Sequence, residues 1–195
     1  MTRLDPLPAP TSRIVRRMSD SRYVVLSALG SDRPGLVAAV TRFFADRGGN
    51  VEDSRMAILG GEFGVMVLVA ATEAEIGKME ADLPILEQAT GMRTMLRRTV
   101  SPEQHRKEAA MPVTIVASAL DQEGIVRSIA GALHELGINV VSLETSAYPA
   151  AMSGHPLFRL EAHLAVPRGV AVARVRQAMD EVAQRFDLDV EVRAG

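Results

Sequence analysis

The sequence contains no cysteine and no tryptophan, and only 4% of its 195 residues are aromatic. Without cysteine the chain cannot form disulfides, thiolate zinc sites or a cysteine nucleophile. The 22 lysines and arginines nearly balance the 24 aspartates and glutamates, which gives no reason to expect a polyanionic partner. No apolar run approaches the roughly 18 residues of a membrane span, and the N-terminus lacks the apolar segment of a signal peptide. These absences favour a cytoplasmic protein with no membrane partner.

One stretch of the chain occurs twice. Residues 24–57 align without a gap on residues 113–146 and share eight identical positions. A repeat of this length indicates two copies of one domain, because solenoid units repeat every 20–50 residues or so. The identical pairs include Asp32/Asp121, Gly35/Gly124 and Asn50/Asn139.

The repeat also predicts the domain boundaries. Residues 1–20 are expected to be a flexible N-terminal arm, 21–99 the first domain, 100–111 a polar linker and 112–195 the second domain. The second copy carries seven more residues, which fall in a Pro-, Gly- and Ser-rich stretch at 149–156. This composition predicts a loop.

Apolar periodicity predicts the same elements in both domains. In the first domain, Asp32 is expected to cap one helix, and residues 72–75 form a capping box that opens the next helix. Pro84 lies inside that second helix and is expected to kink it or divide it. Strands are predicted at 23–29, 51–59, 63–71 and 92–99, and again at 113–119, 140–148, 157–166 and 188–193; the helices of the second domain are predicted at 123–136 and 170–185.

Each half therefore has the order β-α-β-β-α-β. Two right-handed crossovers of this kind build an antiparallel sheet with both helices on one face, so the predicted fold class is α+β with two ferredoxin-like domains. Several strands are apolar on both faces. This favours a partner on the uncovered sheet face, either the other repeat or a second chain.

The repeated stretch has features of a ligand site for a small α-amino acid. A helix N-terminus offers free amide donors and partial positive charge to a carboxylate. Gly35 and Gly124 would let a ligand approach the backbone, and Asp32 or Asp121 could pair with an ammonium group. Asn50, which opens a strand expected to lie beside the first, adds a donor and an acceptor. A purely structural role for the same residues stays open, because aspartate caps helices and glycine and asparagine suit turns.

The pattern Asp32-Arg33-Pro34-Gly35-Leu36-Val37, followed by Gly48-Gly49-Asn50-Val51, resembles the opening of an ACT domain. The resemblance covers residues 22–99 and 112–193. It implies the βαββαβ fold and a regulatory role in amino-acid metabolism. Two ACT domains without an enzyme domain resemble the glycine cleavage system transcriptional repressor group, in which an ACT pair controls a separate DNA-binding activator.

The resemblance also implies where the ligand binds: between two domains, at the first loop and at the start of the second strand. In the second copy Gln122-Glu123 replaces Arg33-Pro34, and Glu123 is expected to cap the helix and to occupy the site itself. The first copy is therefore the stronger candidate. The implied ligand residues are Asp32, Arg33, Pro34, Gly35, Leu36, Asn50, Asp121, Gln122, Glu123, Gly124, Ile125 and Asn139.

The sequence shows no nucleophile–base pair, no metal-ligand spacing and no phosphate-binding loop, so no enzyme activity, metal or cofactor is expected. All predicted helices are used to cover the sheets, which leaves none to read DNA. The expected function is a non-enzymatic regulator that senses a glycine-like amino acid and controls transcription through a protein partner. The alternatives are a regulatory subunit of an amino-acid biosynthetic enzyme and an interaction module without a ligand.

Overall fold

The computed structural model describes residues 21–105, 110–149 and 154–195. The chain falls into two compact units, divided after His105. The N-terminal arm predicted at 1–20, part of the linker and half of the loop predicted at 149–156 lie outside the described residues.

The first unit contains four strands, two long helices and one short helix. Its elements are β1 (Arg22–Ser31), α1 (Leu36–Asp46), β2 (Asn50–Leu59), β3 (Glu62–Ala71), α2 (Glu73–Thr90), β4 (Arg93–Thr99) and α3 (Pro102–His105). The last of these, α3, lies within the segment predicted as a linker.

The second unit repeats the order of the four strands and the two long helices. Its elements are β5 (Ala110–Leu120), α4 (Ile125–Glu135), β6 (Asn139–Pro149), β7 (Pro156–Pro167), α5 (Val172–Phe186) and β8 (Asp189–Ala194). Strand β5 begins inside the segment predicted as linker, because its first residues already pair with β7.

Each unit has one antiparallel four-stranded sheet, in the order β2-β3-β1-β4 and β6-β7-β5-β8. This is the ferredoxin-like α+β arrangement that the repeated pattern predicts. The order places β3 between β1 and β2. Because β1 and β2 are both antiparallel to β3, they run in the same direction.

One face of each sheet packs on its helices. Val24, Leu26 and Ala28 alternate along β1 and are buried, as the period of two residues in a strand requires. Helix α1 covers them with Val40 and Phe44, and each unit has its own apolar core.

Helix α2 begins and ends as the sequence predicts. The Thr72 hydroxyl accepts from the Glu75 amide while the Glu75 carboxylate accepts from the Thr72 amide, and Gly91 caps the C-terminus with φ 74°. Of the two effects predicted for Pro84, division of the helix does not occur, because α2 runs unbroken to Thr90. Buried Met79 and Leu86 lie on either side of the proline and keep both halves on the same sheet.

Both edge strands that follow the first helix of a unit carry a β-bulge. The pairing of β2 with β3 shifts between Val51 and Asp53, and that of β6 with β7 between Val140 and Ser142. One extra residue therefore stands at equivalent positions of the two copies.

The uncovered sheet faces differ in polarity. In the first unit Leu29, Met66 and Met95 project from this face and are 57%, 56% and 54% exposed. The second unit carries charged side chains there, among them Glu161 and Glu191. The apolar face that the sequence predicts thus occurs in the first unit.

Candidate functional site

The loop between β1 and α1 turns at a left-handed glycine. Gly35 has φ 94° and ψ −5° and is the N-cap of α1, so the predicted cap at Asp32 is wrong. The Asp32 amide instead donates to the Gly61 carbonyl at 2.9 Å, which holds it against the β2–β3 turn. The side chain of Asp32 remains exposed. A residue with a Cβ is disfavoured in this conformation, which explains glycine at this position.

Helix α1 starts without help from a side chain. No side chain caps it, and its first internal bond runs from the Ala39 amide to the Gly35 carbonyl at 2.9 Å. The amides of residues 36–38 precede that bond and keep their hydrogen-bonding capacity. Together with the partial positive charge of the helix end, they can receive a carboxylate.

The second loop has the same backbone. Gly124 has φ 92° and ψ −4°, and the Ser128 amide bonds to its carbonyl at 2.9 Å. The prediction that Glu123 caps the helix is wrong, because no side chain caps α4 and Glu123 is exposed.

Arg33 and Gln122 occupy equivalent positions in the two units and form equivalent hydrogen bonds. Arg33 Nη2 donates to the Ala89 carbonyl at 2.8 Å, and Gln122 Nε2 donates to the Phe186 carbonyl at 3.2 Å. Each bond ties its loop to the last turn of the second helix of its unit. The second loop therefore differs from the first in residue type and keeps the same attachment.

Leu36 and Ile125 are core residues. Their side chains are buried in the first and second core. Like Gly35 and Gly124, these two residues can offer a ligand only their backbone. Pro34 and Asp121 are exposed, and the Asp121 amide donates to the Pro156 carbonyl.

Asn50 lies at the opposite end of the sheet from the loop. It pairs with Ala70, which pairs with Tyr23 near the start of β1, whereas Asp32 follows the end of β1. Eight residues of β1 separate the two ends, about 27 Å at 3.4 Å per residue. The expectation that Asn50 lies beside the first strand near the loop is wrong, because β3 intervenes and β2 runs parallel to β1. Asn139 has the same placement, paired with Ala165.

The end of the first sheet at which Asn50 lies carries polar side chains. Asn50 Nδ2 donates to Glu52 Oε1 at 2.7 Å, and Glu52 is the extra residue of the bulge. Burial raises the pKa of Tyr23, and the negative charges of Glu103 and Glu52 raise it further. Asn50 keeps its side-chain oxygen as an acceptor.

The helix side of the second unit carries a groove that sequence reasoning missed. It lies between α4 and α5, has a volume of about 690 Å³ and is lined by Arg127, Arg174 and Arg185. Its floor includes Ala132 and Ala178.

In the first unit, larger side chains occupy the equivalent space between α1 and α2. Arg47 forms a salt bridge of 2.9 Å to Asp82 and stacks at 4.0 Å over the Phe43 ring. The aligned positions in the second unit are Leu136, Ala178 and Ala132. Comparing side-chain volumes across the two repeats would have found this difference.

The described part of the chain holds neither a metal-binding cluster nor a membrane-spanning helix. Within the described ranges, no group of three or more His, Asp or Glu side chains could hold a metal ion. None of the helices in those ranges combines the length and apolar character needed to cross a bilayer.

The family model of the ACT domain matches residues 22–97. The first unit therefore belongs to the ACT domain family. The second unit has the same strand order and the same left-handed loop glycine, so the chain is a tandem ACT-domain protein.

Relatives match across both ACT domains. The glycine cleavage system transcriptional repressor of Escherichia coli (strain K12) is 27% identical over 163 residues, which cover 83% of this chain and 84% of that protein. The crystal structure of an unknown protein from Galdieria sulphuraria has a TM-score of 0.72 at 31% identity and covers 90% of this chain and 99% of its own. A provisionally named glycine cleavage system transcriptional repressor has a TM-score of 0.67 at 25% identity, with 90% and 98% covered.

Proposed function

We propose that this tandem ACT-domain protein is a non-enzymatic regulator that binds a small, glycine-like amino acid and controls transcription through a protein partner. The name of the Escherichia coli relative supports the transcriptional part of this proposal. The loop geometry supports amino-acid binding.

The observation that carries the proposal is the duplicated glycine turn. In both domains a glycine with φ above 90° directs the chain into a helix that no side chain caps. The uncapped amides suit the carboxylate that every free amino acid carries. Helix α2 shows the alternative, because Thr72 and Glu75 satisfy its first turn from within the chain.

The ammonium group of such a ligand needs an oxygen partner. Asp32 carries an exposed carboxylate three residues before Gly35, and its backbone is fixed by the bond to Gly61. A charge-assisted hydrogen bond between this carboxylate and an ammonium group is stronger than a neutral one. A ligand with both groups is thus preferred over a simple carboxylic acid.

One domain cannot supply the asparagine to its own loop. Asn50 is level with the first residues of β1 and Asp32 follows its last residue, so a free amino acid cannot span them. If asparagine completes the site, it comes from outside the unit that provides the loop. Binding would then depend on how ACT domains assemble, and a ligand could shift that assembly by its differential affinity for two states.

The packing of the helices favours control of transcription through a protein partner. In the described part of the chain, each helix of eleven residues or more buries an apolar side in the core of its own domain. None of these four is free to enter a DNA groove as a recognition helix does. Control of transcription would therefore pass through a DNA-binding protein.

Calorimetric titration of the purified chain with the twenty amino acids tests ligand binding. Asp32→Asn and Asn50→Ala are expected to reduce binding at least about tenfold, because the first removes the negative charge that faces the ammonium group and the second removes a hydrogen-bonding side chain. Asp46→Asn, at the exposed far end of α1, is the matched control and should bind as the unmodified chain does. Binding that is unchanged in both site variants would contradict the proposed site.

The two loops are expected to differ in affinity. Glu123 places a negative charge beside the second loop, where the first has Pro34. Asp32→Asn should therefore lower binding more than Asp121→Asn. Equal losses of affinity in the two variants would contradict the predicted difference between the loops.

A second experiment separates the functional alternatives. Affinity capture with the amino acid present and absent is expected to retain a DNA-binding transcription factor. Capture of an amino-acid biosynthetic enzyme would favour the regulatory-subunit alternative. A chain that binds no amino acid, yet holds a partner, would be an interaction module.

A further inference from the structure

We propose that the groove between α4 and α5 of the second ACT domain docks an acidic helix of a protein partner. The inference rests on the proposed control of transcription through a protein partner, and it names the surface that receives that partner. All the residues that line the groove belong to the second domain. Its volume of about 690 Å³ is open along both helices, so a partner can enter it from the side.

One end of the groove carries two arginines. The strands that precede α4 and α5 are antiparallel, so the two helices also run in opposite directions. The start of α4 therefore meets the end of α5, where the Phe186 ring lies 3.7 Å from a Cβ added at Gly124. Arg127 follows Gly124 by three residues, and Arg185 directly precedes Phe186. Both arginines line the groove at this end.

The fold does not require these two arginines. The aligned positions in the first unit are Ala38 and Ala89. Arg127 lies in the first turn of α4, where the partial positive charge of the helix end opposes a cation. Within the described ranges, neither Arg127 nor Arg185 forms an ion pair or a side-chain hydrogen bond. Their charges are therefore available to a partner of opposite sign.

Small residues form the floor of the groove. They are Gly131, Ala132 and Ala178, and nothing lies within 4 Å of a Cβ added at Gly131. In the first unit, Phe43 and Asp82 fill the positions of the two alanines. Small residues on two neighbouring helices let a third helix pack closely between them. The eleven residues of α4 span about 16 Å, which matches three turns of a partner helix.

The charges of the groove favour a protein over a nucleic acid or a small anion. Glu135 and Glu181 also line it, and they would repel a continuous phosphate backbone. A small anion would stay in contact with water, because the arginines are exposed and exposed ion pairs contribute little. A helix that covers the groove excludes that water and strengthens each ion pair.

The chain itself offers no segment with the required charge. Residues 1–20 contain four arginines and two aspartates, so this segment would be repelled by the basic end of the groove. Helix α2 carries more carboxylates than any other helix in the described ranges, but its Glu73 and Glu80 already pair with Arg98. The occupant is therefore a helix of another protein, with an apolar side and two carboxylates one turn apart.

Fluorescence anisotropy with the full chain and a labelled synthetic peptide tests the inference. The peptide has eleven residues and is held helical by a side-chain link, with leucine and alanine on one side and two glutamates four residues apart at one end. A second peptide carries glutamine in place of both glutamates and is expected to bind at least about tenfold more weakly. Equal binding of the two peptides, or no binding of either, would overturn the inference.

Substitution of the arginines locates the contact. Arg127→Ala/Arg185→Ala introduces the residues of the first unit and should weaken the glutamate peptide at least about tenfold, to the affinity of the glutamine peptide. Arg176→Ala is the matched control, because Arg176 is exposed on the same helix and does not line the groove. A loss of affinity in Arg176→Ala as large as that in the double variant would show that only net charge matters.

Filling the groove tests its shape independently of the basic pair. Ala132→Phe/Leu136→Arg/Ala178→Asp introduces the side chains with which the first unit occupies the equivalent space. The variant should remain folded by circular dichroism and bind the glutamate peptide at least about tenfold more weakly. Unchanged binding would contradict docking in the groove. Displacement of the peptide by inorganic phosphate or by a duplex DNA fragment, each at the concentration of the unlabelled peptide that displaces it, would reassign the groove to those anions.

Capture of a transcription factor separates this inference from the proposed function. A factor that Arg127→Ala/Arg185→Ala retains as well as the unmodified chain does would overturn docking in the groove and leave the proposed function standing. A groove that binds the glutamate peptide, in a chain that captures no transcription factor, would overturn the proposed function alone.

Discussion

Gly35 and Gly124 share one left-handed backbone conformation, with φ and ψ of 94° and −5° in the first and 92° and −4° in the second. Neither copy of the loop could keep this turn with a β-branched residue, because the left-handed region is sterically costly once a Cβ is present. Both copies of the loop therefore require glycine at this position.

Replacing Gly35 should destabilise the first domain through its backbone alone. Nothing lies within 4 Å of a Cβ added there, so Gly35→Ala should cost about 1–2 kcal/mol of the free energy of unfolding from the left-handed conformation. Gly77→Ala is the control, since Gly77 lies inside α2 with equal space around it and should gain about 1 kcal/mol. Urea denaturation measures both. Opposite signs are expected, and equal effects would contradict the argument.

The capping box of α2 should contribute measurably to stability. Thr72→Ala removes the acceptor for the Glu75 amide and should lower the free energy of unfolding by about 1 kcal/mol. Thr41→Ala is the matched control, because Thr41 lies inside α1 and bonds only back to Val37 and Ala38 carbonyls. That substitution should be neutral or stabilising in the same urea titration. A loss from Thr41→Ala as large as that from Thr72→Ala would refute the assignment.

The Arg47–Asp82 pair should couple more strongly than an exposed pair. The Arg47 side chain is only 17% exposed and also stacks on Phe43. A double-mutant cycle with alanine at both positions should give a coupling of about 1 kcal/mol. The exposed Arg55–Asp53 pair provides the comparison and should couple by less than about 0.5 kcal/mol. Indistinguishable coupling energies would show that partial burial has no effect here.

Tyr23 should titrate above its ordinary value near 10, because burial and then the charges of Glu103 and Glu52 raise its pKa. The folded state holds this proton more tightly, so the associated stability is present below the unfolded pKa and is lost as pH rises through the folded pKa. Tyr148→Phe leaves Tyr23 as the sole tyrosine, and ultraviolet absorbance follows its ionisation. A folded midpoint at or below that of the urea-unfolded variant would contradict the prediction.

Pro84 should cost α2 stability even though it does not divide the helix. A proline removes one backbone bond inside the helix, and this cost exceeds the stability that proline gains by restricting the unfolded chain, so Pro84→Ala should gain about 1–2 kcal/mol. Gln88→Ala, exposed on the same helix, should change the free energy of unfolding by less than about 0.5 kcal/mol. Destabilisation by Pro84→Ala, measured by thermal unfolding, would mean that the proline ring packs usefully.

Strands and helices could be predicted from the sequence because their apolar periods are regular. The alternation along β1 determines which face of the strand is buried, and the capping box determines where α2 begins. Both signals come from residues close together in the sequence. The ACT fold followed from the repeat of these elements.

The errors arose where residues distant in the sequence decide the outcome. Asp32 has the chemistry of a cap, but the bond to Gly61 across the sheet end leaves the capping position to Gly35. Asn50 and the loop seemed to be neighbours in the sequence pattern, yet the insertion of β3 separates them. Arg33 and Gln122 form equivalent hydrogen bonds only because the last turn of a helix lies within reach of each side chain. The position of that helix end cannot be predicted from either residue type.

The bulge that β2 and β6 share has a consequence for aggregation. Both are edge strands, whose free amides and carbonyls could recruit strands from partly unfolded chains. The extra residue at Glu52 or Val141 interrupts the regular spacing of those groups, so an intruding flat strand loses ladder bonds at that point. Deleting Glu52 would straighten the edge and remove this protection, making the strand most exposed to solvent also the one most ready to seed fibrils.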